Sequence, residues 1–264
     1  MIAVQERISA TPDDFVETAA RGRPFVVRGL VRDWPLIEAG RSGAAQAIEY
    51  IASLDCGAVA DVMVAPPREG GRFFYREDFN GFNFERQRAA LKQVGTSLLE
   101  LAANPESPAI YAGAAETARC MPGFDAANPF PVARRLADAK SRIWLCNRAQ
   151  VATHFDLSDN IAVVALGRRR FTLFPPEATG ALYVGPFDQT IAGQPVSMVD
   201  PLAPDMDRYP RFAEALVQAN VAELGPGDAL YVPALWWHHV VALDPINILV
   251  NYWHNDRLCG GAFP

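Results

Sequence analysis

The stretch THFDLSDNIAVVALGRRRFTLFPP, from Thr153 to Pro176, reads as strands separated by turn signals. Its apolar run Ile161 to Leu166 is closed by Gly167, and the next run, Phe171 to Phe174, is stopped by Pro175 and Pro176. Outward from it the same texture recurs in Ala109 to Ala112, Ile143 to Cys146, Ala229 to Val232, Val240 to Leu243 and Ile246 to Trp253. Short apolar runs at this spacing predict a β-barrel or sandwich. One helix, about Tyr209 to Asn220, interrupts them.

Upstream the pattern changes. Thr11, Pro12 and Asp14 form a helix-start signal, with Thr11 as N-cap and Pro12 at the first helical position, and predict a short helix to about Ala20. Phe25 to Leu30 reads as a strand ended by the Asp33-Trp34-Pro35 step. A helix follows from Ser42 to about Leu54, then a strand from Val59 to Val64, and a second helical pattern from about Phe84 to Ala103 with Gly95 in its middle. The prediction is a mainly β fold with helical decoration. Residues 1–264 form a single domain in it, with an N-terminal α/β shoulder over 1–108 and a barrel core over 109–264.

Composition excludes several classes. Half of the 264 residues are hydrophobic and a fifth charged, which rules out collagen-like, coiled-coil and disordered chains. The 24 basic and 30 acidic residues give a net charge of -6, and the basic ones are scattered, so nucleic acid is not expected as primary ligand. Cys56, Cys120, Cys146 and Cys259 include no Cys-x-x-Cys pair and read as reduced, mostly core residues. With no apolar leader and no run of about 18 apolar residues, the expectation is a cytoplasmic protein with no membrane partner.

Only four histidines occur, His154, His238, His239 and His254, and three of them lie in two short strand-like segments. In Thr153-His154-Phe155-Asp156, alternation puts His154 and Asp156 on one face with Phe155 on the other. If the strand carrying His238 lies across the same barrel, a second imidazole completes two nitrogens and one oxygen around a metal, with the opposite side open. Spacing alone does not choose between His238 and His239, because neighbouring strand residues point to opposite faces. Arg169 is in phase with Phe171 and Leu173 and is therefore expected inside, where a guanidinium demands an anion. Arg168 and Arg170 alternate outward.

These segments, with Gly225-Pro-Gly-Asp228, the strand Ala229 to Val232, and Trp236-Trp-His-His239, resemble the JmjC and cupin-like oxygenases dependent on Fe(II) and 2-oxoglutarate. The likeness is to the factor-inhibiting-HIF-like hydroxylase branch and the short bacterial cupin-like domain proteins, and it touches Pro24 to Trp34, Phe79 to Phe84, Ala152 to Pro176 and Gly225 to Trp253. The resemblance implies a double-stranded β-helix, or jelly-roll cupin barrel. It implies His154, Asp156 and His238 as the metal and catalytic residues. It also implies Arg169, Tyr111, Asn160 and Asn251 around 2-oxoglutarate, and Trp237 and Trp253 as candidate substrate residues. His254 matches no ligand position and is expected at the surface or the pocket edge.

Two positions depart from that pattern: Arg169 stands where the family often has lysine, and Val151 where the asparaginyl hydroxylase has a threonine. The implied activity is dioxygenase hydroxylation with O2, yielding succinate and CO2, of a protein or peptide side chain, or of a small molecule. Two other readings share the barrel: a cupin metalloenzyme that does not use 2-oxoglutarate, and a catalytically silent binding protein.

Overall fold

Eight strands build two facing sheets, and the chain passes from one sheet to the other at nearly every turn. They are β1 (Lys140–Cys146), β2 (Gln150–His154), β3 (Asp159–Leu166), β4 (Arg169–Phe174), β5 (Asn220–Leu224), β6 (Ala229–Val232), β7 (Trp237–Ala242) and β8 (Asn247–His254). The wider sheet contains the order β6-β3-β8-β1 and the narrower one β5-β4-β7-β2, with antiparallel neighbours throughout these two sets. This is the double-stranded β-helix that the family resemblance implies. The computed structural model describes residues 1–8 and 11–255.

The apolar pattern explains the layering. β3 is buried along its whole length because both of its faces are covered, so it reads as a near-continuous apolar run. Ile161 and Val163 face outward with Ile143, Leu145, Ile248 and Val250 into a core shared with the N-terminal helices. Ala162 and Val164 face inward with Phe171, Leu173, Val240 and Leu249. A third apolar layer, on the outer side of the narrower sheet, joins Phe174 and Trp237 to Phe212 and Ala215 of the helix Phe212–Gln218.

The N-terminal shoulder is continuous with the barrel. Phe25–Val27 pairs with β6 on one flank of the four barrel strands of the wider sheet, and Gln5–Glu6 pairs outside it. Ala109–Glu116 pairs with β1 on the other flank and is followed outward by Val59–Ala65 and Glu85–Ala90. Trp34 locks the two parts together: its indole donates to the Pro129 carbonyl at 2.8 Å, and its ring meets Phe124, Phe130 and Tyr252 edge-on. The helix Pro12–Ala19 starts with the predicted cap. The Thr11 hydroxyl accepts from the Asp14 N–H, and Asp14 returns the bond to the Thr11 N–H.

Besides Asn220–Leu224, a barrel strand with no counterpart in the sequence reading, two elements of the shoulder differ from that reading. The predicted helix over about 84–103 is a strand, Glu85–Ala90, followed by a helix, Leu91–Leu101. The first half is exposed and has no core-facing stripe, so ladder pairing with Val59–Ala65 decides its state. From Leu91 the apolar spacing is helical, and Gly95 lets the helix approach Ile48 closely: a Cβ there would meet Ile48 Cγ2 at 2.5 Å. The second difference is the helix Pro35–Ser42, where Pro35 was read only as a strand stop although it opens a helix at the first position. Of the cysteines, Cys120 and Cys146 are buried and Cys56 is exposed, while Cys259 lies outside the described residues. Among the described residues no helix is long and apolar enough to cross a membrane.

Gly167 makes the β3–β4 turn at φ +70°, and a Cβ there would lie 2.5 Å from the Ile246 carbonyl oxygen. Gly57, at φ +83°, faces open space. Urea unfolding should show Gly167→Ala destabilised by about 2–4 kcal/mol and Gly57→Ala by about 1 kcal/mol. Equal losses would show that the contact with Ile246 has no energetic consequence.

Candidate metal centre

β2 and β7 are antiparallel neighbours, and His154 lies directly opposite His238 in their register. The two imidazole centroids are 4.2 Å apart. Each ring is oriented by its own backbone: His154 Nδ1 is 2.9 Å from the Ala152 carbonyl oxygen and His238 Nδ1 is 3.0 Å from that of Trp236. In the tautomer that makes these bonds, Nδ1–H donates and Nε2 keeps its lone pair for a metal. Burial lowers the His238 pKa to about 4, with repulsion from His154 adding to the shift and Asp156 opposing it. At neutral pH the ring is therefore uncharged, as a ligand must be.

Asp156, two residues beyond His154, projects from the same side. Its Oδ2 is 3.7 Å from His238 Nε2, too long for a hydrogen bond. One potential ligand atom from each of His154, Asp156 and His238 falls within 4.8 Å of the others. The Asn160 amide donates to Asp156 Oδ2 at 3.3 Å, and Asn251 donates to Asn160 Oδ1 at 2.6 Å. The two ligand-bearing segments are also tied through their loops. Leu235 N–H donates to the Asp156 carbonyl at 2.8 Å, and Ala234 N–H to Asp159 Oδ1 at 2.7 Å. Two imidazole nitrogens and one carboxylate, each held by neighbouring groups, suit a divalent first-row metal.

A cavity of about 400 Å³ opens beside this cluster and runs into the barrel. Arg169 lines it from β4 and is only 2% exposed. Its Nη2 donates to Cys146 Sγ at 3.2 Å, its Nε has no partner, and no carboxylate of the described residues forms an ion pair with it. The Tyr111 hydroxyl sits beside this guanidinium. Burial holds the phenol far above its ordinary pKa, and Arg169 only partly opposes the effect. Burial likewise raises the Cys146 thiol, so the guanidinium faces neutral groups.

The cavity thus brings together His154, Asp156, His238, Tyr111, Asn160, Arg169, Asn251 and Trp253, with Val151 on its wall. Trp237 is not among its lining residues: β7 alternates, so with His238 inward Trp237 packs on the outer side against Phe155 and donates to Thr179 Oγ1 at 2.9 Å. This corrects its expected place near substrate. His239 also lies on that outer side, buried, with neither ring nitrogen hydrogen-bonded. His254, expected at the surface or pocket edge, is buried opposite Asp159 at the end of β8. Arg142 and Trp144 line the cavity and were not foreseen. Continuing the alternation of β1 back from Cys146 through Trp144 to Arg142 would have placed them there.

A double-stranded β-helix with two histidines and one carboxylate converging at its cavity has the architecture of a cupin barrel, with a cluster that could hold a metal ion. The chain belongs to the Cupin-like domain family, whose model matches residues 12–258. It is similar to HSPB1-associated protein 1 of Homo sapiens, 34% identical over 118 residues that make up 43% of this chain and 23% of the relative. It is also similar to Lysine-specific demethylase JMJ31 of Arabidopsis thaliana, 33% over 121 residues, 44% of this chain and 22% of that one. A third relative is tRNA wybutosine-synthesizing protein 5 of Mus musculus, 36% over 105 residues, 39% and 30% respectively. The matched stretch is less than a third of each relative's length.

The geometry predicts a discrimination between the adjacent histidines. In an anaerobic calorimetric titration of chelator-stripped protein with Fe(II), the parent should bind one ion. His238→Ala or Asp156→Ala should weaken binding by more than about 100-fold, beyond what the loss of a group merely supporting a ligand causes, and His239→Asn should bind like the parent. The reverse order for the two histidines would place the metal on the outer side of the narrower sheet.

Proposed function

We propose that the chain is an Fe(II)- and 2-oxoglutarate-dependent oxygenase that hydroxylates a protein or peptide side chain. His154, Asp156 and His238 hold the metal, and residues 1–264 act as one domain. The observation that carries this reading is Arg169: a guanidinium buried in the same cavity as the metal cluster, with an unpartnered Nε and, among the described residues, no carboxylate to neutralise it. A buried charge left without its counterion is strongly unfavourable, so the site is built for an anion that is not part of the chain. A dicarboxylate reaching from the metal to Arg169 meets that demand. Membership of the cupin-like family supports the same chemistry. The relatives' names mention a lysine in one case and a tRNA in another, so the likeness supports the reaction class and leaves the substrate to local chemistry.

Bound together, Fe(II) and 2-oxoglutarate would supply oxidative decarboxylation coupled to oxidation of a C–H bond, with succinate and CO2 as coproducts. The chain supplies placement. The planar fork of Arg169 can grip a carboxylate with two parallel hydrogen bonds, which the lysine common in the family cannot do. Cys146 and Tyr111 orient that fork, and Tyr111, kept protonated by burial, can donate to the same carboxylate. Asn160 fixes Asp156, and Asn251 fixes Asn160. Val151, Phe171, Val240 and Leu249 give the cavity an apolar wall that limits water around the reacting groups.

Anaerobic addition of Fe(II) and then 2-oxoglutarate should produce the weak visible charge-transfer band of a chelated 2-oxo acid. His154→Ala should abolish it. Arg169→Gln should raise the 2-oxoglutarate concentration for half-development about 10- to 100-fold, as expected for losing a charge-assisted hydrogen bond. Iron binding without a band in the parent would overturn the 2-oxoglutarate assignment.

A further inference from the structure

The oxygenase reading leaves one cation of the cavity without a task. On the inner side of the wider sheet a polar row crosses four strands: Asn160 on β3, Asn251 on β8, Arg142 on β1, and Glu116 at the end of Ala109–Glu116. Asn251 and Arg142 are direct register partners, and so are Arg142 and Glu116. Arg142 Nη2 donates to Glu116 Oε1 at 3.1 Å, and the guanidinium lies 4.9 Å over the ring of Trp253. Its Nε is buried and has no acceptor.

Two further donors share this wall. Trp144, two residues along β1, lies edge-on to Trp253 with ring centroids 6.2 Å apart. Gly113 gives it room, since a Cβ there would come within 2.2 Å of the Trp144 ring. The indole N–H groups of both tryptophans are buried without an acceptor. Three residues lining this side of the cavity therefore each carry a buried N–H with no acceptor among the described residues, and buried donors of this kind call for acceptors.

The charges of the lining point the same way. Among the described residues, the lining carries the charges of Arg142, Asp156 and Arg169; the acid belongs to the metal cluster, and one arginine is assigned to the cosubstrate. A cationic side chain entering here would meet Arg142 with no free carboxylate on the wall, and one face of Trp253 is already occupied by that guanidinium. We infer that Arg142, Trp144 and Trp253 form a subsite for a carboxylate or carboxamide group of the substrate, and that this wall rejects cationic side chains. The inference rests on the oxygenase reading for the reaction performed on that substrate, and on the cavity alone for the binding preference.

Binding can be read by calorimetry without turnover. The probes are end-blocked nonapeptide pools with randomised flanks and a central Asp, Asn, Glu, Gln, Lys or trimethyl-Lys, with free aspartate and asparagine alongside. The acid and amide pools should bind the parent at least about tenfold more tightly than the two lysine pools. Arg142→Glu should reverse that order, Arg142→Lys should restore part of it, and Arg169→Gln should leave it intact. Free amino acids binding as tightly as the pools would support the same subsite and assign it to a small molecule. Lysine pools binding the parent as well as the acid pools, acid and amide pools that fail to bind at millimolar concentration, or an order unchanged by Arg142→Glu would overturn the inference. A preference lost in Arg169→Gln and kept in Arg142→Glu would overturn it too, by assigning the binding to the cosubstrate anchor. Failure of the oxygenase reading shows separately, as iron bound without a charge-transfer band.

Discussion

The pairing of β2 with β7, with His154 directly across from His238, is the constraint on which the site depends, because a one-residue slip would exchange every inward side chain for its neighbour. Several contacts outside the cavity hold that register. Trp237, one residue before His238, is fully buried between Phe155 and the segment carrying Thr179, and its indole donates to the Thr179 hydroxyl. On the loop before β7, Leu235 binds the carbonyl of Asp156 itself. The tryptophan that does not reach the cavity thereby sets which histidine does. A large ring packed outside, with its one polar atom satisfied, is a strong device for choosing between two adjacent imidazoles.

The same alternation governs β4 and exposes a contrast in how three consecutive arginines are treated. Arg168 pairs with Asp244 and Glu223, and Arg170 with Glu223, all at the exposed outer side where such pairs contribute little to stability. Arg169, between them, is turned inward and receives a thiol, a phenol and no acid. A barrel selected for stability alone would place an apolar residue there, since replacing buried charge by packed hydrocarbon is commonly neutral or favourable. The layers around β3 offset the cost, and the interior keeps a standing demand for an anion. Fold and chemistry therefore meet at one side chain.

Much of this was legible from period-two alternation. His154 with Asp156, the turn at Gly167, and the inward phase of Arg169 all follow from which residues share a face, and the structure shows the barrel that the spacing of short apolar runs implied. What could not be read depends on neighbours distant in sequence. Glu85–Ala90 is polar and helix-compatible, and only its pairing with Val59–Ala65 makes it a strand. Trp237 and Trp253 look alike in sequence, because two aromatic residues give no sign of their facing until the register of β7 is known. Arg142 has no apolar neighbour upstream to mark it as strand: the apolar run begins at Ile143, whereas β1 begins at Lys140 and puts Arg142 in the inward set with Trp144 and Cys146. The link from Asn251 to Asn160 joins residues 91 positions apart and has no local signature.

On the proposed reading the two inward arginines divide the cavity between two ligands. Arg169 belongs to the narrower sheet, together with His154 and His238, so the metal and the anchor for its cosubstrate sit on strands whose register is held as a unit. Arg142 belongs to the wider sheet, on the strand beside the shoulder, where its partner Glu116 is half exposed. A change at Arg142 or Glu116 can therefore alter what enters the cavity without disturbing the pairing that forms the metal cluster. The two halves still communicate through Asn160 and Asn251, since the amide that supports Asp156 is itself held by the residue facing Arg142. A substrate group seated against Arg142 would then lie beside Asn251, the residue that holds the support of Asp156. Substrate recognition and metal geometry therefore meet at Asn251, which donates to Asn160 and stands opposite Arg142 in the strand register.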